Sequence, residues 1–384
     1  MGAILDGIQP SSARAGSALL LAALALPGLS AVAASMPDTS SISVDYLHYQ
    51  DSQPGLQRIG VQAPSVHLLL PMAGNWVVEA GLVSDHVSGA SPRYHSNVSG
   101  ASHMADQRLG ADVRVTRYAG NATLSAGVAH SGENDYHSTA WSLAASLSSD
   151  DHNTTGNLSL GVSNDRIDPV NQIVVNEGRH TTEWLLGVEQ VLGQRDIVKL
   201  DFMHGRGRGY FSDPYKYVDN RPRQRDQNSV LLRWNHHAAD SDGVARLSYR
   251  YYRDTFGIRA HTLGGEYEQP LAGGWALTPS LRLYSQSAAS FYFDPVYDPT
   301  YGKPFPVGYD FAAPGYSSAD QRLAAFGAVT LGLQVAKQLG QGWALHLKLE
   351  RYRQQAGWRQ WGAGSPGLLR FDAQIWQVGV SKQW

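Results

Sequence analysis

The stretch Trp343-Ala344-Leu345-His346-Leu347-Lys348-Leu349-Glu350 decides the fold class. One set of alternate residues reads Trp, Leu, Leu, Leu, and the other reads Ala, His, Lys, Glu. Side chains of a β-strand point alternately to its two faces, so this strand has one apolar face and one polar face. The pattern therefore predicts a strand that separates an apolar medium from a wet or ion-paired one.

The same period of two recurs along the chain. Val198, Leu200 and Phe202 alternate with Lys199, Asp201 and Met203. Connections of three or four residues alternate with a second class that is often long, as at 166–179 and 293–321. A transmembrane barrel has tight turns at one end and longer loops at the other. The sequence thus predicts an all-β, antiparallel transmembrane β-barrel of about sixteen strands, with starts near residues 41, 57, 75, 107, 122, 137, 153, 180, 196, 224, 243, 257, 275, 322, 343 and 368.

Composition narrows the class of protein. Of 384 residues, 42% are hydrophobic and 17% are charged, yet the mean hydropathy is −0.30. Past the first 35 residues, no apolar run approaches the roughly 20 residues of a spanning helix. Lys+Arg 31 against Asp+Glu 33 gives no basic excess, which argues against a nucleic-acid partner. The absence of cysteine excludes disulfides and thiolate metal sites.

The first residues have the layout of a secretory signal peptide. Arg14 precedes an apolar stretch from Ala15 to Leu26, and Ala31-Val32-Ala33 offers the small residues of a cleavage site. We therefore predict a signal peptide at 1–33 and a barrel at 34–384. Export without cysteine fits a porin-like protein in the outer membrane of a Gram-negative bacterium.

Aromatic residues support the same location. Trp76, Trp275 and Trp343 each follow a short turn, and Trp384 ends the last strand. Tryptophan favours membrane–water boundaries, so these four residues are predicted to form a periplasmic aromatic belt. The last strand is similar to the C-terminal signal read by the barrel assembly machinery, with Lys382 at a position that is usually apolar. Predicted partners are this machinery, outer-membrane lipid and lipopolysaccharide.

Several loop motifs carry a family resemblance. These are Ser91-Pro92-Arg93, Asp165-Arg166-Ile167-Asp168-Pro169-Val170 and Phe211-Ser212-Asp213-Pro214-Tyr215-Lys216 with its sequel Asn220-Arg221-Pro222. The chain resembles a bacterial domain-of-unknown-function family of predicted outer-membrane β-barrels. The resemblance implies architecture and location but no activity. It also implies a periplasmic redox protein as a partner, because members are encoded near a flavin transferase and small redox proteins.

Charged residues on the predicted inner face are the main candidate site. A barrel of about sixteen strands can enclose an aqueous lumen. The charges either form a charge-selective conduit, with an anion path along Arg246, Arg250 and Arg282, or pair across strands and keep the interior hydrated. The set is Glu183, Glu189, Lys199, Asp201, Arg233, Arg246, Arg250, Glu266, Glu268, Arg282, Lys348 and Glu350.

The longest loop leaves three alternatives open. Residues 291–316 are rich in aromatics, prolines and aspartates, which suits a rigid surface cap, a sugar or peptide site, or a segment folded inward to narrow the pore. Asp213, Asp219 and Asp294 lack the spacing of a calcium loop, so no metal is predicted.

No catalytic motif stands out, and neither an enzyme nor a cofactor is predicted. The sequence favours a channel or structural conduit. The alternatives are a redox-linked scaffold for periplasmic electron-transfer proteins and an outer-membrane lipid-modifying enzyme.

Overall fold

The chain folds into a β-barrel. The computed structural model describes residues 36–89, 104–216, 218–296, 298, 300, 305–313 and 315–384, so the predicted signal peptide at 1–33 and the Ser91-Pro92-Arg93 motif lie outside the described residues. Strands are numbered in chain order, and β10 (Asp219–Asn220) and β15 (Ser317–Ser318) lie outside the barrel. The sixteen barrel strands are β1 (Ser41–Gln53), β2 (Leu56–Met72), β3 (Trp76–Gly89), β4 (Met104–Ala119), β5 (Ala122–Gly132), β6 (Tyr136–Ser148), β7 (Thr154–Ile167), β8 (Glu177–Val191), β9 (Asp196–Gly209), β11 (Gln224–Ala238), β12 (Gly243–Asp254), β13 (Arg259–Leu271), β14 (Trp275–Gln286), β16 (Phe326–Gly340), β17 (Trp343–Gln355) and β18 (Phe371–Gln383).

The barrel closes by antiparallel pairing of its first and last strands. Ser41 is opposite Gln383 and Ser52 is opposite Asp372, while every other barrel strand pairs with its neighbours in chain order. Closure leaves the sheet without a free edge, which is the condition for burying a sheet in lipid. Each strand has at least 11 residues, enough for the roughly 9–11 that cross a bilayer at a tilt. The predicted sixteen-stranded antiparallel barrel is confirmed.

Side chains alternate along the strands as the sequence predicts. On β17, Leu345, Leu347 and Leu349 lie on the outer wall and are 41%, 42% and 49% exposed. Their neighbours Lys348 and Glu350 lie on the inner wall and form an ion pair, with 3.1 Å between Lys348 Nζ and Glu350 Oε1. Apolar side chains thus cover the outside of the barrel and polar side chains line the inside.

The two ends of the barrel differ in their connections. At one end the chain reverses in tight turns, and we call this the short-turn end. There Gly342 has φ +79°, and a Cβ at this position would collide with the carbonyl oxygen of Gln383. Glycine is therefore required where the turn passes the end of the last strand. The opposite end, the long-loop end, carries the connections 168–176, 210–223, 287–325 and 356–370.

Strands begin within four residues of their predicted starts, and the largest difference is at β16. It begins at Phe326 rather than near 322 because Gln321–Leu323 forms a 3₁₀ turn. The Asp320 side chain caps this turn by accepting a hydrogen bond from the Arg322 amide. The sequence also missed two short strands outside the barrel, β10 (Asp219–Asn220) and β15 (Ser317–Ser318), which pair with each other.

Tryptophans mark the outer wall at the short-turn end. Trp76, Trp275, Trp343 and Trp384 are all exposed. A cation lies over three of these rings: Arg117 over Trp76, Lys337 over Trp275 and Lys382 over Trp343, at 5.1, 4.8 and 5.5 Å from the ring centroids. Lys382, the residue that departs from the expected C-terminal signal, is thus placed over an indole. Among the described residues, no helix is long and apolar enough to cross a membrane.

Candidate functional site

The predicted interior charges share one face of the barrel wall. Across the ladder, Arg246 is opposite Glu266, and Glu266 is opposite Ser280. Their strand neighbours Leu247 and Leu281 are exposed on the outer wall. The same alternation places the whole predicted set on the inner wall: Glu183, Glu189, Lys199, Asp201, Arg233, Arg246, Arg250, Glu266, Glu268, Arg282, Lys348 and Glu350.

Many of these charges are close to a partner of opposite sign. Arg246 donates hydrogen bonds to Glu266 at 3.1 Å and to Glu268 at 2.9 Å. Asp201 lies 3.8 Å from both Lys199 and Arg233. Asp201 and Lys199 are each only 4% exposed, so this part of the inner wall is packed rather than open. The structure therefore combines paired charges with a two-sign lining, as both alternatives from the sequence require.

The three arginines of the predicted anion path do not form one uniform row. Arg246 is neutralised by its two glutamates, while Arg250 and Arg282 lie nearer the long-loop end, on either side of β13. Among the described residues, Arg250 makes no ion pair within 4.0 Å. An anion path along the interior thus remains a prediction, and Arg246 is already engaged by Glu266 and Glu268.

A second polar site, which the sequence did not identify, occupies the long-loop end. It brings together three carboxylates and three cations, and most of these side chains are buried. We call it the charge cluster and define it by its six members: Asp213, Lys216, Asp219, Arg221, Asp320 and Arg322.

Asp320 is the centre of the charge cluster and is 0% exposed. Its Oδ2 accepts hydrogen bonds from Arg221 Nη2 at 2.6 Å and from Arg322 Nε at 2.7 Å. Lys216 Nζ lies 3.5 Å from the other oxygen, Oδ1. A single buried carboxylate therefore binds three cations that come from two different loops.

The remaining carboxylates balance the charge. Asp219 Oδ1 accepts from Arg221 Nε at 2.7 Å, and Asp213 Oδ2 accepts from Arg322 Nη2 at 3.0 Å. The cluster is thus neutral as a whole, and its hydrogen bonds are charge-assisted, the stronger kind. The carboxylates of Asp213 and Asp219 are bound by guanidinium groups. Within the described ranges, no group of three or more His, Asp or Glu side chains is placed to hold a metal ion.

The loop motif at 211–222 shapes one half of this cluster. The Asp213 side chain accepts a hydrogen bond from the Tyr215 amide at 3.0 Å, which tightens the Asp-Pro-Tyr-Lys turn. The Tyr215 hydroxyl donates to Asp135 at 2.5 Å and so ties the turn to the start of β6. Ser212 Oγ accepts from the Arg221 amide at 3.0 Å. These local bonds present Lys216 and Arg221 to Asp320.

Aromatic packing joins the same loops. Phe256, between β12 and β13, is 1% exposed and forms edge contacts with Phe211 and Phe291, at centroid distances of 5.9 and 5.1 Å. Ile258 and Leu323 complete this buried cluster. Phe291 belongs to the long aromatic loop, so the start of that loop is packed inside the mouth, whereas Phe311 further along is exposed. The loop therefore combines the inward-folded and surface-cap alternatives.

The packed loops span the diameter of the barrel. The loop 210–223 follows β9, which is eight places from β1 in the sixteen-strand ring. Yet Gln321, next to Asp320, accepts a hydrogen bond at 3.4 Å from Gln53, the last residue of β1. The described residues of segments 210–223 and 287–325, with the charge cluster between them, thus bridge opposite walls, and we call them the outer plug.

The charge cluster has a defined pH response. Burial alone would raise the pKa of Asp320, but Arg322, Lys216 and Arg221 hold it well below its usual range. Burial raises the pKa of Asp219. A carboxyl group whose pKa is lowered by folding stabilises the folded state above its unfolded pKa of about 3.9. This stabilisation is lost only as the pH falls through the folded pKa. A raised carboxyl pKa means that this group adds stability as pH falls.

We therefore expect the outer plug to stay closed between pH 7 and about pH 4. Limited proteolysis of the loops in detergent-solubilised protein, at a series of pH values with an acid-tolerant protease, would measure this. Steady cleavage rates across the range are the expected result. A steep rise in loop cleavage between pH 7 and pH 5, with the barrel intact, would contradict the assignment of Asp320 as a charged centre.

The chain matches one family model along most of its length. Residues 16–104, 93–177 and 171–373 match the family model described as "Protein of unknown function (DUF3570)". The chain belongs to the DUF3570 family. The predicted membership of a domain-of-unknown-function family is thus confirmed. Among proteins with curated descriptions, none matches the chain.

Solved structures resemble this DUF3570 protein in fold. One is named "Bacterial polysaccharide outer membrane secretin", with a TM-score of 0.52 and 12% identity over 90% of this chain and 98% of that chain. Another is CdiB from Acinetobacter baumannii, with a TM-score of 0.51 and 11% identity over 88% of this chain and 60% of that chain. At these identities the likeness concerns the fold alone, which is that of an outer-membrane barrel.

Sequence reasoning on this DUF3570 chain found only part of the outer plug. It singled out the motif that contains Asp213, Lys216 and Arg221, but not Asp320 or Arg322. The signal available was weak, since Asp320-Gln321-Arg322 is a short polar triplet like many others on the surface of a loop. Only the fold shows that it lies at the centre of the mouth.

Proposed function

We propose that this protein is an outer-membrane conduit for small charged solutes, whose outer mouth is closed at rest by the outer plug. The observation that carries the proposal is the difference in polarity between the outer and inner faces of the barrel wall. Apolar side chains such as Leu247 and Leu281 cover the outside, while charges of both signs line the inside of a closed ring of sixteen strands. A hydrated interior with charges of both signs suits a path for ions.

The location is part of the proposal. A closed barrel with an apolar outer wall and exposed tryptophans at one end suits a bilayer. In the orientation usual for such barrels, the short-turn end faces the periplasm and the outer plug faces the outside. The fold likeness to an outer-membrane protein supports this placement.

The resting state follows from the outer plug. A mouth bridged by Asp320 and its three cations leaves little free cross-section, so the wild-type protein should open seldom. Loop movement that separates Asp320 from Lys216 and Arg221 would open the path. Charge then governs which solutes pass, because Arg250 and Arg282 face the interior on the long-loop side of Arg246.

Planar-bilayer recordings test the proposal through ion selectivity. Glu266→Gln combined with Glu268→Gln frees Arg246, on the same strand as Arg250, and makes the interior more positive. We expect discrete low-probability steps in the wild type, and in the variant a reversal potential shifted toward that of chloride in a potassium chloride gradient.

The matched control removes two carboxylates outside the conduit. Asp240→Asn with Asp242→Asn changes an exposed short turn by the same charge and should leave selectivity unchanged. Equal selectivity in all three proteins would count against a charged lumen. No conductance in the wild type or in a variant with a weakened outer plug would overturn the proposal.

A further inference from the structure

A polar groove opens on the outer wall at the long-loop end. Its volume is about 430 Å³, within the range of small-molecule sites. It lies across strands β11, β12 and β13 where their apolar band ends. Its lining is Asp226, Asn228, Tyr251, Arg253, Asp254, Thr255, Gly257 and Arg259.

Two arginines face each other across this groove. Arg253 on β12 is directly opposite Arg259 on β13, and both are exposed. Like charges in directly opposed positions destabilise a strand pair. Among the described residues, neither guanidinium group has a carboxylate within 4.0 Å. An anion between them would remove the repulsion.

The acidic residues of the groove are already engaged. Asp254 accepts a hydrogen bond from Arg225 at 2.6 Å on the inner side, and Asp226 lies 3.6 Å from Arg206. Arg206, like Arg253 and Arg259, is exposed on the outer wall. The groove therefore has a net positive charge that comes from Arg253 and Arg259.

An apolar strip runs down the wall from the groove. On the outer face, Tyr249 and Leu247 lie below Arg253 on β12, toward the short-turn end. Leu263 lies below Arg259 on β13 in the same direction, and all three are exposed. Tyr249 donates to or accepts from His261 at 2.7 Å, and the exposed Trp361 packs on that histidine at a centroid distance of 4.6 Å. At about 3.4 Å per residue, the arginines lie roughly 14 Å from Tyr249 along the strands. A ligand that fits has an anionic head and apolar chains.

We propose that this groove binds a phosphate group of lipid A, the anchor of lipopolysaccharide. The inference rests on the proposed location, since the long-loop end then meets the outer leaflet. A phosphate monoester carries up to two negative charges, which matches two opposed guanidinium groups better than the single charge of a phospholipid diester. The groove also has room for the sugar that bears the phosphate, and the apolar strip accommodates acyl chains.

Native mass spectrometry of the full chain in detergent tests the site, with bisphosphorylated lipid A as the probe. We expect Arg253→Gln with Arg259→Gln to weaken binding about 30-fold, as for the loss of two exposed ion pairs at the upper end of their usual strength. The matched control is Arg195→Gln with Lys337→Gln, which removes two cations at the short-turn end, the exposed Arg195 and the half-buried Lys337. This control should bind like the wild type, and dephosphorylated lipid A should bind the wild type weakly.

Two outcomes would overturn the inference. Unchanged lipid A binding by the groove variant would show that Arg253 and Arg259 do not bind the phosphate. Equal competition by phosphatidylglycerol would make the groove a general site for anionic phospholipid. Membrane fractionation of the wild type distinguishes failure of the groove proposal from failure of the proposed location. Protein that reaches the outer membrane but does not bind lipid A refutes only the groove. Protein that is absent from the outer membrane refutes the location as well.

Discussion

Replacing Asp320 by asparagine should convert a mostly closed conduit into one that is open most of the time. The amide keeps the shape of the side chain but leaves Lys216, Arg221 and Arg322 without their shared charge in a buried site. Removing one partner of a buried ion pair typically costs about 3–5 kcal/mol. A loss of about 3 kcal/mol in the closed state alone would raise the open population roughly 100-fold.

Single-channel recordings in planar bilayers measure this effect directly. Asp310→Asn is the matched control, because Asp310 lies on the same loop but is exposed, and within the described part of that loop its side chain bonds only to its own turn. The open probability of Asp310→Asn should equal that of the wild type. Both variants should still shift on gels when heated, which shows that the barrel has folded. Loops that become protease-sensitive in Asp320→Asn without any gain in conductance would show that the outer plug does not close the path.

Introducing arginine on the outer wall should strongly impair the barrel, whereas the next residue along should tolerate it. Leu333, at the middle of β16, is exposed on the outer wall, and Gln334 faces the interior opposite Lys348. Arginine at the bilayer midplane costs about 2–4 kcal/mol in a transmembrane barrel. Leu333→Arg should therefore lower stability by this amount, and Gln334→Arg by far less.

Equilibrium unfolding of each protein in lipid vesicles provides the comparison. The two variants introduce the same side chain one residue apart, so strand propensity and net charge are matched and only the wall face differs. Equal losses at the two positions would mean that the outer wall does not face lipid. That result would also remove the basis for the proposed conduit.

The barrel wall could be predicted because its signal is local. Leu345, Leu347 and Leu349 alternate with polar residues within a single strand, so the face of each side chain follows from position alone. Turn glycines such as Gly342 fix where strands end, and an unbroken series of hairpins fixes which strands pair. The number of strands and the inner-wall residues follow from these facts.

The outer plug could not be predicted because its contacts are distant in sequence. Lys216 and Asp320 meet across 104 residues, and nothing in the residues around either one specifies the other. Arg58 shows a second limit: a bulge between β1 and β2 brings it beside Asp51, at 3.7 Å, where simple alternation would place it on the outer wall. The redox-scaffold hypothesis stays a prediction, and the tight turns at the short-turn end offer little docking surface for it.

The contact between opposite walls has a mechanical consequence. A hydrogen-bonded cylinder resists stretching along its strands but flattens readily into an ellipse, because flattening only bends the sheet. The link from Gln53 through Gln321 and Asp320 to Arg221 acts as a strut across one rim. The rim with the strut should keep a circular outline while the opposite rim deforms with the surrounding bilayer, so lateral pressure on the molecule is felt at one end and resisted at the other.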